Sequence, residues 1–308
     1  MPRVGVVVVG AGIAGIACAR ELTAAGVEVR VLERARVVGG RMASRRLHGR
    51  PVDLGAAYFT VSDPGFAEVV DGWEAAGLAR PWTDTLAVLG DGERGTSAGP
   101  MRWAAAGGLR SLVTALAEGL DITLEHEVGR VGPGPVVDGE PADAVVLAMP
   151  DPQAARLLDP ALPGVADRAW NPVITVAAGW AERTWPELPA AFVNDHPVLA
   201  LVADDGDRRG DGAPVLIAHS TAAVARAHDA DPEGAVPVVL EAVRDLLGVG
   251  APIWTHAHRW RFAAPAESRE PTFALGGGIG LAGDGWGRSR VEAAWRSGTD
   301  LGRALGGP

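Results

Sequence analysis

The sequence predicts an α/β chain: a Rossmann-like parallel sheet with helices, and an interleaved α+β region built on an antiparallel sheet. Three observations predict it. The apolar run Val4 to Val9 leads into Gly10-Ala11-Gly12-Ile13-Ala14-Gly15 and a helical stretch ending near Gly26. A second apolar run, Ala144 to Met149, is stopped by Pro150, as expected of a strand buried on both faces of a parallel sheet. Between Asp159 and Pro271 the pattern changes to several strands with few helices.

Each element follows from its residues. Gly10 suits a tight turn, Gly12 lets the backbone approach a pyrophosphate, and Gly15 permits close packing of helix on strand, while the helix N-terminus offers N–H donors to an anion. Val27 to Leu32 reads as the second strand and ends in Glu33, placed to accept from a ribose 2′-hydroxyl and to repel a 2′-phosphate. That excludes NADP at this site but leaves NAD and FAD open. Leu109 to Leu120 reads as a helix and Ile122 to Val128 as the alternating strand after it. Strands are expected at Val173 to Trp180, Val198 to Ala203, Val215 to Ser220 and Ile253 to Phe262, with a helix from Val236 to Leu247 on one face. The charged, Gly-rich run Asp204 to Gly212 is expected to be a solvated turn. Near the C-terminus a strand, Ile279 to Ala282, precedes a helix starting at about Val291. The expected nucleotide domain is residues 1–60, 100–158 and 272–308, and the expected substrate or cap domain is 61–99 and 159–271.

Composition narrows the function classes. A chain of 308 residues with 47% hydrophobic content can build two cored domains. A formal charge of −10 argues against nucleic-acid or anionic-membrane partners. All 28 basic residues are Arg. The single cysteine, Cys18, rules out an internal disulfide and fits a reducing compartment; within the first helix it reads as a small apolar core residue rather than a reactive thiol. The N-terminal run resembles a signal peptide, but cleavage there would delete the glycine motif, so a cytoplasmic protein is expected. No metal-ligand spacing is visible.

The strand Ile253 to Phe262 places Trp254, His256, His258, Trp260 and Phe262 on one face. Such a face is either sheet core or the wall of a substrate cavity. Trp260 and Phe262 are the leading cavity candidates, with Trp103, His219 and Trp286 beside them.

The residues Val4 to Met42, including Gly39-Gly40-Arg41-Met42, together with Gly283-Asp284-Gly285-Trp286 and Val291-Glu292-Ala293-Ala294, resemble the flavin amine oxidase superfamily. Within it, Val52 to Thr60, His258 to Phe262 and Gly283 to Ser297 are most similar to bacterial renalase-type oxidases. The resemblance implies non-covalent FAD, held by Gly10, Gly12, Ile13, Ala14, Gly15, Glu33, Arg34, Gly40, Arg41, Met42, Gly55, Ala56, Ala57, Tyr58, Val128, Gly283, Asp284 and Val291. It implies Asp284 on the ribityl or pyrophosphate end, where a plain N-cap is the other reading. It also implies the Val128 backbone at the adenine and the Val291 N–H near the pyrimidine carbonyl. Many members use a lysine that holds a water near flavin N5, and this chain has none. That departure puts polyamine and monoamine oxidation in doubt. Renalase-type enzymes oxidise isomeric dihydronicotinamides by hydride transfer, with O2 as acceptor and H2O2 as product. The alternatives are a dehydrogenase or desaturase with another acceptor, and a flavin-binding protein without turnover. The expected partner is a small-molecule substrate.

Overall fold

The computed structural model describes residues 4–90, 94–159 and 168–307. The chain divides into two compact units, Met1–Met42 with Arg110–Ala169 and Ala264–Pro308, and Ala43–Leu109 with Trp170–Ala263. These bounds depart from the expected ones: residues 43–60 and 100–109 fall in the second unit, and 159–169 and 264–271 in the first. Pairing explains the first shift, because Phe59–Thr60 and Arg94–Ala104 are neighbouring strands of the second unit's sheet.

In the first unit the sheet order is Ala274–Gly276, Ile279–Ala282, Glu140–Ala148, Val4–Val9, Val29–Leu32, Ile122–Thr123. Pairing along this order is parallel except at the Ala274–Gly276 edge, and off it Val136–Val137 pairs antiparallel with both Glu140–Ala148 and Val131–Gly132. The central apolar strands are buried on both faces, as their unbroken valine runs require. Two elements are shorter than expected for local reasons. Val27 N–H bonds back to the Leu22 carbonyl to finish the first helix, Ile13–Ala24, so its strand starts at Val29. Glu125 turns the chain at φ 55, so the ladder after Ile122–Thr123 ends early and Val128 lies outside any strand. The expected helix from Leu109 ends at Leu116. The C-terminal helix, Val291–Gly306, packs on the first helix at glycine contacts: a Cβ on Gly298 would sit 1.9 Å from the Ala14 carbonyl oxygen.

The second unit is built on the sheet Trp254–Pro265, Trp170–Gly179, Val215–Ser220, Leu199–Asp204, Ala190–Val193, Arg80–Leu89, Arg94–Ala104, Phe59–Thr60. One face, with Ile174, Val176, Val202, Leu216, Ala218 and Ala257, packs under the helix Val236–Leu247. The other face carries a buried row, Ala177, Ile217, Ala203, Ala190 and Leu86, against which Val52, Leu54, Tyr58 and Trp82 pack.

The Asp204 to Gly212 segment is not the solvated turn expected. Asp205–Arg209 is a short helix whose Asp205, Arg208 and Arg209 are buried, capped by Asp204 accepting from Asp207 N–H at 2.9 Å. The charges go inside because each finds a partner. Arg208 binds the Asp205 carboxylate and donates to the Ala57 carbonyl at 2.6 Å, and Arg209 reaches Asp205 at 3.1 Å and Asp53 at 3.0 Å. Arg50 completes the set on Asp205 at 2.5 Å. No helix among the described residues is long and apolar enough to cross a membrane.

Candidate functional site

In the first unit the glycine loop forms a backbone cradle at the end of the first strand. Gly10 has φ 108, and a Cβ there would lie 2.7 Å from the Ala148 carbonyl oxygen. A Cβ on Gly15 would lie 1.9 Å from the Gly10 carbonyl oxygen, so this position holds the helix against the turn. Gly12 differs: its backbone is extended, and a Cβ would meet only the Gly40 Cα, at 3.9 Å. Its bareness keeps open the space in front of the helix. Gly12 is the N-cap of that helix, with no side-chain cap and no acidic residue in the first turn, so the N–H groups of Ile13, Ala14 and Gly15 face an end of positive potential. Gly39 N–H donates to the Ala11 carbonyl at 2.9 Å and draws the Gly40-Arg41-Met42 turn to the loop, while Arg34 is exposed beyond it.

Glu33, half-buried at the end of its strand, accepts from Ala11 N–H at 2.7 Å and Ala35 N–H at 2.8 Å. A carboxylate has about four lone-pair sites, so these two bonds orient it and leave acceptor capacity for a diol. Arg41 and Asp284, both expected at the cofactor, bind one another, and Ser289 donates to the same Asp284 carboxylate. The expected N-cap alternative for Asp284 is not what is seen, because Arg290 occupies that position in the C-terminal helix. Gly283 is anchored by Ser297 Oγ at 2.9 Å. Val291 opens the helix with Glu292 buried beside it, and Val128 is buried among Val7, Val9 and Leu32. Trp286 lies under the Arg269 guanidinium at 4.2 Å.

The remaining candidates belong to the second unit. Gly55, Ala56, Ala57 and Tyr58 follow the strand Arg50–Asp53; Trp260 Nε1 donates to the Leu54 carbonyl at 2.6 Å. Trp254 stacks on His48 at 4.6 Å, His258 meets Trp260 edge-on at 4.4 Å, and His256 contacts Arg45 at 3.1 Å. Phe262 is half-buried at the far end of the same strand. Trp103, half-buried, stacks on Phe59, which meets Phe66 and Trp73 edge-on. His219 lies directly across from Thr175 on one side and Leu201 on the other. Burial, then the Arg208 guanidinium, pushes its pKa down to about 4. Burial, then Arg45 and His256, brings His258 to about 4 as well.

Sequence reasoning missed Thr175, Leu201, Phe192 and Arg102 on this sheet face. One signal was present: Thr175 interrupts the apolar run Val173 to Ala178. Register against neighbouring strands supplies the rest.

Cys18 is fully buried, and burial, with Glu21 adding to it, raises its thiol to about 12. The native protein is therefore expected to resist a thiol reagent at pH 8 and to take up one equivalent only after unfolding. Rapid labelling of the folded protein contradicts this.

Comparison with known proteins divides the chain near residue 73. Residues 8–73 match the family described as NAD(P)-binding Rossmann-like domain, and residues 73–301 match that of flavin containing amine oxidoreductase. A Mycobacterium tuberculosis protein named as flavin-containing monoamine oxidase AofH is 54% identical over 55 residues, 18% of this chain and 12% of that relative. The coproporphyrinogen III oxidase of Propionibacterium freudenreichii is 30% identical over 233 residues, 62% of this chain and 44% of the relative. This chain therefore spans less than half of either curated relative. Among solved structures, a putrescine oxidase superposes with a TM-score of 0.77 at 18% identity over 98% of both chains. The cyclohexylamine oxidase of Brevibacterium oxydans gives 0.78 at 17% identity over 99% of both.

Proposed function

The chain belongs to the flavin containing amine oxidoreductases, and from that premise we propose an FAD-dependent oxidase of renalase-like specificity, acting on a small planar electron-rich ring such as an isomeric dihydro-NAD(P). The first unit fits FAD: the space that a Cβ on Gly12 would fill, the uncapped helix N-terminus and the oriented Glu33 carboxylate match a pyrophosphate and a ribose diol. When bound, FAD supplies the two-electron acceptor for hydride, with molecular oxygen as terminal acceptor and hydrogen peroxide as product. Attachment is non-covalent in this reading, since Cys18 is buried inside the first helix; acid precipitation should release the flavin intact. A cytoplasmic setting belongs to the same reading.

The observation that carries the substrate class is the weakness of the available bases. An ammonium substrate must lose a proton before it gives up hydride, and an effective base has a pKa near the working pH. The chain has no lysine, and His219 and His258, on the aromatic sheet face, are held at about 4. A dihydropyridine needs no such base. Its ring nitrogen lone pair expels hydride as the ring becomes an aromatic pyridinium, so stacking and orientation suffice. Anaerobic mixing with 2- or 6-dihydro-NAD(P) is expected to bleach the flavin at least about a hundredfold faster than putrescine or benzylamine does. Bleaching by the amines alone sinks the substrate reading and leaves FAD binding untouched. Slow reoxidation by O2 after rapid bleaching favours a dehydrogenase instead.

A further inference from the structure

One row of the second unit's sheet holds two polar atoms that the protein leaves unsatisfied. Strand pairing sets Thr175, His219, Leu201, Phe192 and Val88 side by side across five strands, on the face opposite the helix Val236–Leu247. The adjoining row is fully buried small and aliphatic core, whereas His219, Leu201, Phe192 and Val88 are each incompletely buried. At one end, Thr175 Oγ1 and His219 Nε2 are buried and have no hydrogen-bond partner among the described residues. Directly opposed residues of an antiparallel pair have Cβ atoms about 5 Å apart on the same face, so the two groups are neighbours. Leu201 and Phe192 continue the row as a flat apolar floor, with Tyr58 packed on the same side.

We infer that Thr175 and His219 form a two-point hydrogen-bonding site that recognises a neutral planar ring bearing a carboxamide-like group and selects against protonated amines. This rests on the dihydronicotinamide reading above and names the residues that would enforce it. A valine at 175 would fill the same space without a polar atom, and the rest of that strand's buried face is apolar, so packing alone does not call for the hydroxyl. A hydroxyl can donate and accept, and a neutral imidazole nitrogen can do one of the two, so together they match an amide's carbonyl and NH2. A cation is disfavoured on the same row. Arg102 lies 6.0 Å from the Phe192 ring and 5.4 Å from Tyr58, donating to the Asp84 carbonyl, and Arg208 raises the cost of positive charge at His219.

The test is calorimetric titration of the FAD-loaded protein with nicotinamide, 3-methylpyridine and benzylamine at pH 7.5, in wild type, Thr175→Val and His219→Leu. Wild type should prefer nicotinamide to 3-methylpyridine by about tenfold, the worth of one or two neutral hydrogen bonds. Each variant should remove most of that preference while retaining the wild-type melting temperature and the affinity for 3-methylpyridine. A wild type with no amide preference, a preference that survives both variants, or tighter binding of benzylamine overturns the assignment. The readout is independent of turnover. Failure of the dihydronicotinamides to bleach the flavin would refute the substrate reading while the titration still decides the role of Thr175 and His219.

Discussion

Asp205→Asn is expected to destabilise the protein by about 3–5 kcal/mol at pH 7, read as a fall in the urea midpoint at unchanged slope. Asp205 is completely buried between three guanidinium groups, from Arg50, Arg208 and Arg209, with Asp53 as the other buried carboxylate of the set. Removing one negative charge leaves buried arginines undercompensated, which costs more than the pair was worth. The pH dependence has a definite sign. Burial by itself opposes ionisation of Asp205, but the three arginines prevail and hold its carboxyl below the usual range. A depressed acid pKa contributes stability that is fully present above the unfolded value of about 4 and is lost as pH falls through the folded value. Asp204, its neighbour, behaves oppositely: burial raises it, against the Asp207 amide, the Trp185 indole and Arg183. Its ionised form is disfavoured in the fold, so Asp204→Asn should cost less than Asp205→Asn and should lessen any gain in stability on mild acidification. An Asp205→Asn protein within about 1 kcal/mol of wild type would mean that this network does not sustain the second unit.

Two glycines five-sixths of a helical turn apart should separate folding from cofactor binding. Gly12→Ala should change the stability of the apo-protein by less than about 1 kcal/mol, since the backbone there is extended and a Cβ meets only the Gly40 Cα at 3.9 Å. FAD affinity should nevertheless fall at least about tenfold, because that methyl occupies the cradle the pyrophosphate needs. Gly15→Ala should do the reverse in order of cause. Its Cβ would overlap the Gly10 carbonyl oxygen at 1.9 Å, so the helix must move off the turn, costing about 2–3 kcal/mol in the apo-protein, and FAD is lost with it. Denaturation of the apo-proteins and flavin titration together decide this. Equal destabilisation by the two variants would show that Gly12 has a packing role rather than a binding one.

Much of the nucleotide unit was legible because its signals are local. The Val4 to Val9 run, the spacing of Gly10, Gly12 and Gly15, and Glu33 at a strand end each determine structure within a few residues, and all stand where expected. The strand Val215 to Ser220 and the helix Val236 to Leu247 were likewise read from period alone. The charged run Asp204 to Gly212 departs from the solvated turn its local composition implies, because whether an arginine is solvated depends on partners distant in sequence. Asp53 and Ala57 lie about 150 positions from Arg208. Trp103 and Trp286 carry the residue type of a cavity wall, and their neighbours, Phe59 for one and Arg269 for the other, are set by the fold rather than by local sequence.

The sequence by itself determined the dinucleotide-binding strand, turn and helix, the acidic residue that would read the ribose, and the chain's lack of lysine. Tertiary structure alone decided that Arg41 and Asp284 bind each other, that buried Arg208 and Arg209 and half-buried Arg50 surround two buried aspartates, and that Thr175 and His219 share one row of a sheet. The division has a physical basis. Turn geometry and helix or strand period are properties of a short segment, whereas burial, ion pairing and cross-strand neighbours depend on register between segments that only the folded chain brings together.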